Sequence, residues 1–171
     1  MPGFSCYRRG WRWLAVLALA GASGLAVRGA AAATLMLDPP FEALRVGDQA
    51  VLTLRLESAD EAVNAVAGTI LLPPGLAVRE VRDAGSLINF WVRRPAVDSL
   101  GFSGVIPGGY QGSGGELFSL VVEGTATGQG DVSIGEAQAL KNDGSGSAAA
   151  VEVRPARLTV AAAGTGEPVV L

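Results

Sequence analysis

Residues 102–146 have the sequence FSGVIPGGYQGSGGELFSLVVEGTATGQGDVSIGEAQALKNDGSG. Apolar and polar residues alternate over 116–126 and again over 131–137, a period of two that predicts half-buried β-strands. Between these strands, 127–130 is TGQG, a short turn. No helical period occurs in the stretch. It therefore predicts strand, turn and strand at close spacing, as in the second half of a β-sandwich.

Two further segments of this stretch invite functional interpretations. We interpret 107–115, PGGYQGSGG, as a loop between strands, because a phosphate-binding loop needs a lysine and a following helix. The terminal NDGSG at 142–146 resembles half of a calcium loop, but it lacks the further acids and the distal glutamate of a complete one. A turn is the favoured interpretation there. We expect neither a cofactor nor a metal.

The rest of the chain from residue 34 has the same short-strand pattern. Further strands are predicted at 35–37, 49–57, 63–72, 76–81, 88–92, 99–106, 148–153 and 157–161. A polar loop is predicted at 58–61, and Pro155 separates the last two strands. About nine strands predict an all-β fold, a two-sheet β-sandwich of the jelly-roll kind.

The first 33 residues have the three parts of a secretory signal peptide. Three arginines precede an apolar stretch at 13–27, and three alanines close the segment. We expect cleavage between Ala33 and Thr34, export to the exterior or the cell surface, one domain over 34–162, and a flexible tail at 163–171. An uncleaved membrane anchor is the alternative, disfavoured because the apolar run is shorter than the about 20 residues of a membrane span.

Composition excludes several kinds of chemistry. The formal net charge is −3, but four arginines and no acid lie in the first 33 residues, so the remainder carries 16 acids against 9 bases. An acidic domain disfavours a nucleic-acid partner. The chain has no histidine, and its one cysteine, Cys6, lies in the leader. Ser–His and Cys–His nucleophile pairs and disulfides are therefore excluded after cleavage.

A pair of carboxylates for glycoside hydrolysis is the remaining catalytic alternative. It is disfavoured, because nearly all of the acids fall in predicted turns or at outward strand positions, where acids usually form a solvated surface. We expect a non-catalytic protein, and a monomer.

Trp91 is the single tryptophan after the leader. Alternation over 88–92 places Ile88, Phe90 and Val92 on one face of a strand and Trp91 on the other. We interpret the first set as facing the core. Trp91 is then exposed on a polar face, as an anchor of a binding surface would be. The alternative is a Trp91 packed beneath the 107–115 segment.

The order and spacing of these features are similar to those of cohesin-like domains in secreted bacterial proteins. The resemblance covers roughly residues 33–161 and rests on many weak matches, with no single diagnostic motif. In the second half the matching residues are Phe102, Gly104, Gly112, Gly115, Leu117, Phe118, Val132, Ile134, Leu140, Asn142, Asp143, Gly144 and Gly146. In the first half they lie in 64–70, 72–78 and 86–95.

The resemblance implies a β-sandwich that presents one sheet face to a protein partner. In cohesins of cellulose-degrading complexes that partner is a calcium-loaded dockerin. Carried over to this chain, the face comprises Thr69, Asn89, Trp91, Arg93, Ser103, Asp131 and Ser133, with Tyr110 as a further loop contact. Two alternatives stay open: direct binding of a polysaccharide, which requires a row of exposed aromatic rings, and a structural or adhesive surface domain.

Overall fold

The computed structural model describes residues 33–39 and 43–163. Its strands are β1 (Ala33–Asp38), β2 (Ala43–Arg45), β3 (Gln49–Leu71), β4 (Leu76–Arg82), β5 (Phe90–Arg93), β6 (Gly101–Gly124), β7 (Gly128–Lys141), β8 (Val151–Arg154) and β9 (Ala156–Ala161). The predicted all-β class is confirmed. The described residues contain no helix long and apolar enough to span a bilayer. Most of the predicted leader and tail lies outside them.

Two long strands, β3 and β6, organise the molecule. They pair antiparallel, with register breaks between Leu54 and Ala65 that divide each strand into two halves. Each half belongs to a different sheet. We name as the front sheet β5, 101–106 of β6, 63–71 of β3 and 133–141 of β7. We name as the back sheet β4, 115–124 of β6, 49–58 of β3, β1 and β8.

The two sheets enclose one apolar core. Phe102 of the front sheet meets Phe118 of the back sheet edge to face, with ring centroids 5.2 Å apart. Alternate residues of β3, Leu52, Leu54 and Leu56, turn inward and are almost fully buried. Burial of such side chains contributes about 1.5–3 kcal/mol each, which is the main stabilising term of the fold. The predicted two-sheet sandwich is confirmed.

The predicted loops at 58–61 and 107–115 are wrong. Both segments lie inside strands, because β3 and β6 continue unbroken from one sheet into the other. The strands bulge where they change sheets, and bulges accommodate extra residues and unusual backbone angles. Gly108, Gly109 and Gly114 have positive φ there, a conformation that glycine adopts without steric cost.

The first two described strands pair in parallel with the last two. β1 pairs with β8, and the Ala33 N–H donates to the Ala150 carbonyl. β2 pairs with β9, which lies antiparallel to the first part of β7. Pro155 separates β8 from β9, as the sequence predicts. Both residues of the predicted cleavage point, Ala33 and Thr34, lie within β1, and cleavage between them stays a prediction.

Candidate functional site

The outer surface of the front sheet carries an apolar row. In cross-strand register, Phe90 pairs with Val105, Val105 with Ala65, and Ala65 with Leu140. Phe90 is 67% exposed, and Val105 and Leu140 are each 37% exposed. Val92, in the bulge of β5, is also exposed. Large apolar side chains lined up on a solvent-facing sheet are typical of a binding surface.

Two further outward rows complete this surface. The second row is Arg93, Ser103, Ala67 and Gln138, and the third is Gly101, Thr69 and Gly135. Apart from Val105, the outward side chains on the two central strands are small, and the larger ones lie on β5 and β7. The surface is therefore concave. We name it the front groove: its floor is β6 and β3, and its rims are β5 and β7.

The front groove has an apolar end and a polar end. At the apolar end, a depression of about 300 Å³ is lined by Val92, Val105 and Leu140 together with the small residues of the floor. At the polar end, a depression of about 550 Å³ has a different lining. Its polar side chains are those of Thr69, Arg93, Ser103, Glu136 and Gln138.

A bulge in β7 aims Glu136 into the polar end. Ala67 pairs with Gln138 but Thr69 pairs with Gly135, so β7 carries one extra residue at this point. Glu136 has a φ of 52°, the one positive value at a non-glycine residue in the described chain. That conformation costs roughly 1–2 kcal/mol, a strain that often accompanies functional sites.

The outer face of the back sheet differs, because its charged side chains pair with one another. Arg79 donates to both carboxylate oxygens of Glu123 at 2.9 Å, and this hydrogen-bonded pairing lowers the pKa of Glu123. Arg55 lies 3.5 Å from Asp38. In the front groove, by contrast, no described carboxylate forms an ion pair with Arg93. Charged side chains of the back face therefore have ion-pair partners within the chain, whereas Arg93 of the front groove has none among the described residues.

The structure brings together part of the predicted partner-binding face. Thr69, Arg93 and Ser103 all line the polar end of the front groove. Asn89 is exposed immediately before β5, and Ser133 pairs with Leu71 at the far edge of the front sheet. Asp131 lies outside the front sheet, on the part of β7 that pairs with β9.

The predicted outward orientation of Trp91 is wrong. Trp91 is half-buried and turns inward, and its ring centroid lies 6.1 Å from that of Phe118 in the core. Phe90 and Val92, predicted to face the core, are 67% and 80% exposed. Ile88 is buried, as predicted, but it precedes the strand, so the alternation does not continue from it to Phe90. The bulge after Trp91 then turns Arg93 outward, although alternation would place it on the same face as Trp91. Tyr110 is half-buried against the core.

Sequence reasoning missed the residues that shape the front groove: Phe90, Val92, Val105, Glu136, Gln138 and Leu140. Apolar residues in a strand predict a core face, so the exposed ones gave no signal. Glu136 enters the site through a bulge, which alternation does not encode. The sequence feature that does indicate the groove is the run of small residues in both central strands, which is typical of a flat or concave sheet surface.

The NDGSG segment is a turn, as predicted. One carboxylate oxygen of Asp143 accepts hydrogen bonds from the N–H groups of Ser145 and Gly146, at 2.9 and 3.0 Å, and the other accepts from the Ser147 hydroxyl. The Ser147 hydroxyl and the Ser145 N–H hold the pKa of Asp143 well below its usual range. No group of three or more metal-ligating side chains occurs among the described residues.

Solved structures similar to this chain include several cohesin modules. The third ScaB cohesin of R. flavefaciens, in complex with a group 1 dockerin, is 14% identical with a TM-score of 0.58, covering 77% of this chain and 96% of that one. A cohesin module from a Clostridium perfringens family 33 glycoside hydrolase is 10% identical with a TM-score of 0.63, covering 78% and 100%.

A non-cellulosomal cohesin from the archaeon Archaeoglobus fulgidus is 19% identical with a TM-score of 0.59, covering 76% of this chain and 91% of that one. No family model matches the sequence, and no curated protein matches it. At these identities the likeness concerns the fold, and the chain has a cohesin-like β-sandwich fold.

Proposed function

We propose that this protein is a non-catalytic protein-binding module that receives an amphipathic helix of a dockerin-type partner along the front groove. It acts outside the cytoplasm or at the cell surface, in assemblies related to polysaccharides. The observation that carries this proposal is the contrast between the two sheets. The back face pairs its own charges, while the front groove exposes apolar side chains and unpaired polar ones.

The dimensions of the front groove suit a helix. Neighbouring strands lie about 4.8 Å apart, so the rim strands β5 and β7, three spacings apart, are separated by about 14 Å. A helix with its side chains is about 10–12 Å across. Such a helix can rest on the small residues of the floor while its apolar stripe contacts Val92, Val105 and Leu140.

A polysaccharide ligand is less well supported. Sugar rings stack on rows of exposed aromatic side chains, and Phe90 is the one exposed aromatic residue among those described. Trp91 and Tyr110 pack against the core. Several of the similar structures are dockerin complexes: one from R. flavefaciens contains a group 1 dockerin, and two from Clostridium thermocellum contain the partners Doc435 and Doc918. These complexes are the reason for choosing a dockerin-type occupant.

The experiment is a binding screen with a matched pair of variants. The chain from residue 34 onward is tested against a panel of recombinant dockerin modules, including the R. flavefaciens group 1 dockerin, by isothermal titration calorimetry. Val92→Asp places a charge in the apolar end and is expected to raise Kd at least about 100-fold. Val97→Asp makes the same change at an exposed valine that lines neither depression, and should leave Kd within about twofold.

The outcomes separate the alternatives. If Val92→Asp and Val97→Asp raise Kd by the same factor, the front groove is not the binding surface. Retention of the chain on insoluble cellulose or chitin, with no dockerin bound from the panel, would favour the polysaccharide alternative. Binding to neither would favour a structural or adhesive role.

A further inference from the structure

Arg93 is held across the floor of the front groove. A Cβ atom on Gly101 would come within 2.4 Å of the Arg93 Cζ, so the guanidinium lies directly over that glycine. Its Nη2 donates to the Ser99 hydroxyl oxygen at 3.1 Å. The side chain is thereby fixed in place while its other donors remain open. An arginine held in this position can bind a carboxylate through two parallel hydrogen bonds.

Glu136 stands on the opposite rim of the same depression. It lines the polar end together with Arg93, and no described residue forms a hydrogen bond or ion pair with its carboxylate. Several other carboxylates of the described chain do pair with a base, as Glu61 does with Lys141 at 2.7 Å. The unpaired and strained Glu136 is therefore available to a cation on a bound partner.

The Arg93 guanidinium lies over β6, on the β5 side of the front groove, and Glu136 lies on the β7 rim. Because the two charges lie toward opposite sides of the groove, they distinguish the two directions of a bound helix. A helix lying along the front groove presents one flank to β5 and the other flank to β7. Turning the helix end for end, with the same stripe facing the floor, exchanges its flanks. A helix with an acid on one flank and a base on the other therefore satisfies Arg93 and Glu136 in one direction and is repelled by both in the other.

We propose that Arg93 and Glu136 form a specificity pair that selects the partner helix and its direction. The partner carries a carboxylate on the flank facing Arg93 and a lysine or arginine on the flank facing Glu136, close to the same helical turn. This inference rests on the proposed function and adds to it the chemistry of the partner. Apolar contacts at the other end of the front groove supply affinity, and the charge pair supplies orientation.

The first experiment reverses each charge. With the tightest-binding dockerin of the panel, Arg93→Glu and Glu136→Lys are each expected to raise Kd at least about tenfold, because each converts an attraction into a repulsion. The increase in Kd caused by each substitution should become smaller between about 50 mM and about 500 mM salt, because salt screens the charges. Arg157→Glu is the control: Arg157 is exposed on β9, forms no ion pair within the described chain and should leave Kd within about twofold.

The second experiment identifies the complementary groups. Double-mutant cycles combine Arg93→Gln with neutralisation of each acid of the dockerin helix in turn, and Glu136→Gln with neutralisation of each base. One acid should couple to Arg93 and one base to Glu136, with a coupling of at least about threefold in Kd. Absence of coupling at every acid and base would overturn the specificity pair.

The controls distinguish failure of this inference from failure of the proposed function. Unchanged Kd in Arg93→Glu and Glu136→Lys, with binding still abolished by Val92→Asp, would overturn the specificity pair and leave the front groove as the binding surface. Unchanged Kd in all three variants would overturn both proposals. Circular dichroism of each variant verifies that the sandwich is intact.

Discussion

At the scale of single residues, Trp91 and its neighbour Phe90 are expected to have opposite phenotypes. Trp91 packs its ring against Phe118 in the core, whereas Phe90 is mostly exposed. Trp91→Ala should lower the free energy of unfolding by about 2–3 kcal/mol, somewhat less than the loss for a fully buried aromatic side chain. Phe90→Ala should change it by less than about 0.5 kcal/mol. Urea unfolding of both variants measures the difference.

Binding by the same two variants should show the reverse order. Phe90→Ala removes an exposed apolar contact of the front groove and should weaken the dockerin complex, whereas Trp91→Ala, measured where it is still folded, should affect binding less. A Trp91→Ala variant that keeps its stability and loses binding would restore Trp91 as a surface anchor.

Asp143 gives a pH dependence with a defined sign. Its folded-state pKa is depressed by hydrogen bonds from Ser147 and Ser145, so it contributes stability above the unfolded-state pKa of about 3.9. That contribution is lost as pH falls through the folded-state pKa. Asp143→Ala should therefore lower Tm at pH 7, and the Tm difference from the unsubstituted protein should shrink progressively below about pH 3.9. If the Tm difference stays constant down to the lowest pH at which the protein folds, the depressed pKa of Asp143 is contradicted.

The limits of prediction are clearest at the residues of the front groove. Thr69, Arg93 and Ser103 were predicted at the site and line its polar end. The sequence pattern predicts a core position for Phe90, because a large apolar residue in a strand is usually buried. The proposed binding surface departs from that rule, so alternation assigns its exposed apolar residues to the core.

At the scale of elements, β5 depends on a close approach to β6. A Cβ atom on Gly104 would lie 2.3 Å from the Ile88 Cγ2 and 2.9 Å from the Phe90 carbonyl oxygen. Gly104→Ala should therefore push β5 away from the front sheet, lowering the free energy of unfolding by about 1–3 kcal/mol and weakening binding at the β5 rim. Thermal unfolding and calorimetric titration measure the two effects.

Gly135→Ala is the matched control for that substitution. A Cβ atom on Gly135 would meet the exposed Leu71 side chain at 3.2 Å, and that side chain can move aside. Gly135→Ala should therefore leave Tm within a few degrees of that of the unsubstituted protein. Equal destabilisation by both alanines would show that the close approach at Gly104 is not the cause.

Strand existence was predictable from the sequence, and strand continuity was not. The sequence predicts the two halves of β3, and those of β6, as separate strands, because the polar 58–61 and the glycine-rich 107–115 segments resemble loops. In the folded chain these segments carry each strand from one sheet into the other. A change of sheet requires bulges, and the residues that favour bulges are also those that favour loops. Local sequence does not distinguish the two.

At the scale of the whole molecule, the shared long strands should make the sandwich unfold as one unit. β3 and β6 each contribute half of their length to each sheet, and one core cluster spans both sheets. Neither sheet can therefore lose its pairing without removing strands and core contacts from the other. We expect a single cooperative transition with no populated intermediate.

The test uses Trp91 as a natural reporter. After loss of the leader it is the one tryptophan of the chain, and its contact with Phe118 joins the two sheets. Its fluorescence and the far-UV circular dichroism should therefore change at the same urea concentration. With no histidine in the chain and no cysteine after residue 33, a chelator and a reductant should leave that midpoint in place. Fluorescence that changes well before the circular dichroism would show instead that the front sheet detaches first, and that the shared strands do not couple the two layers.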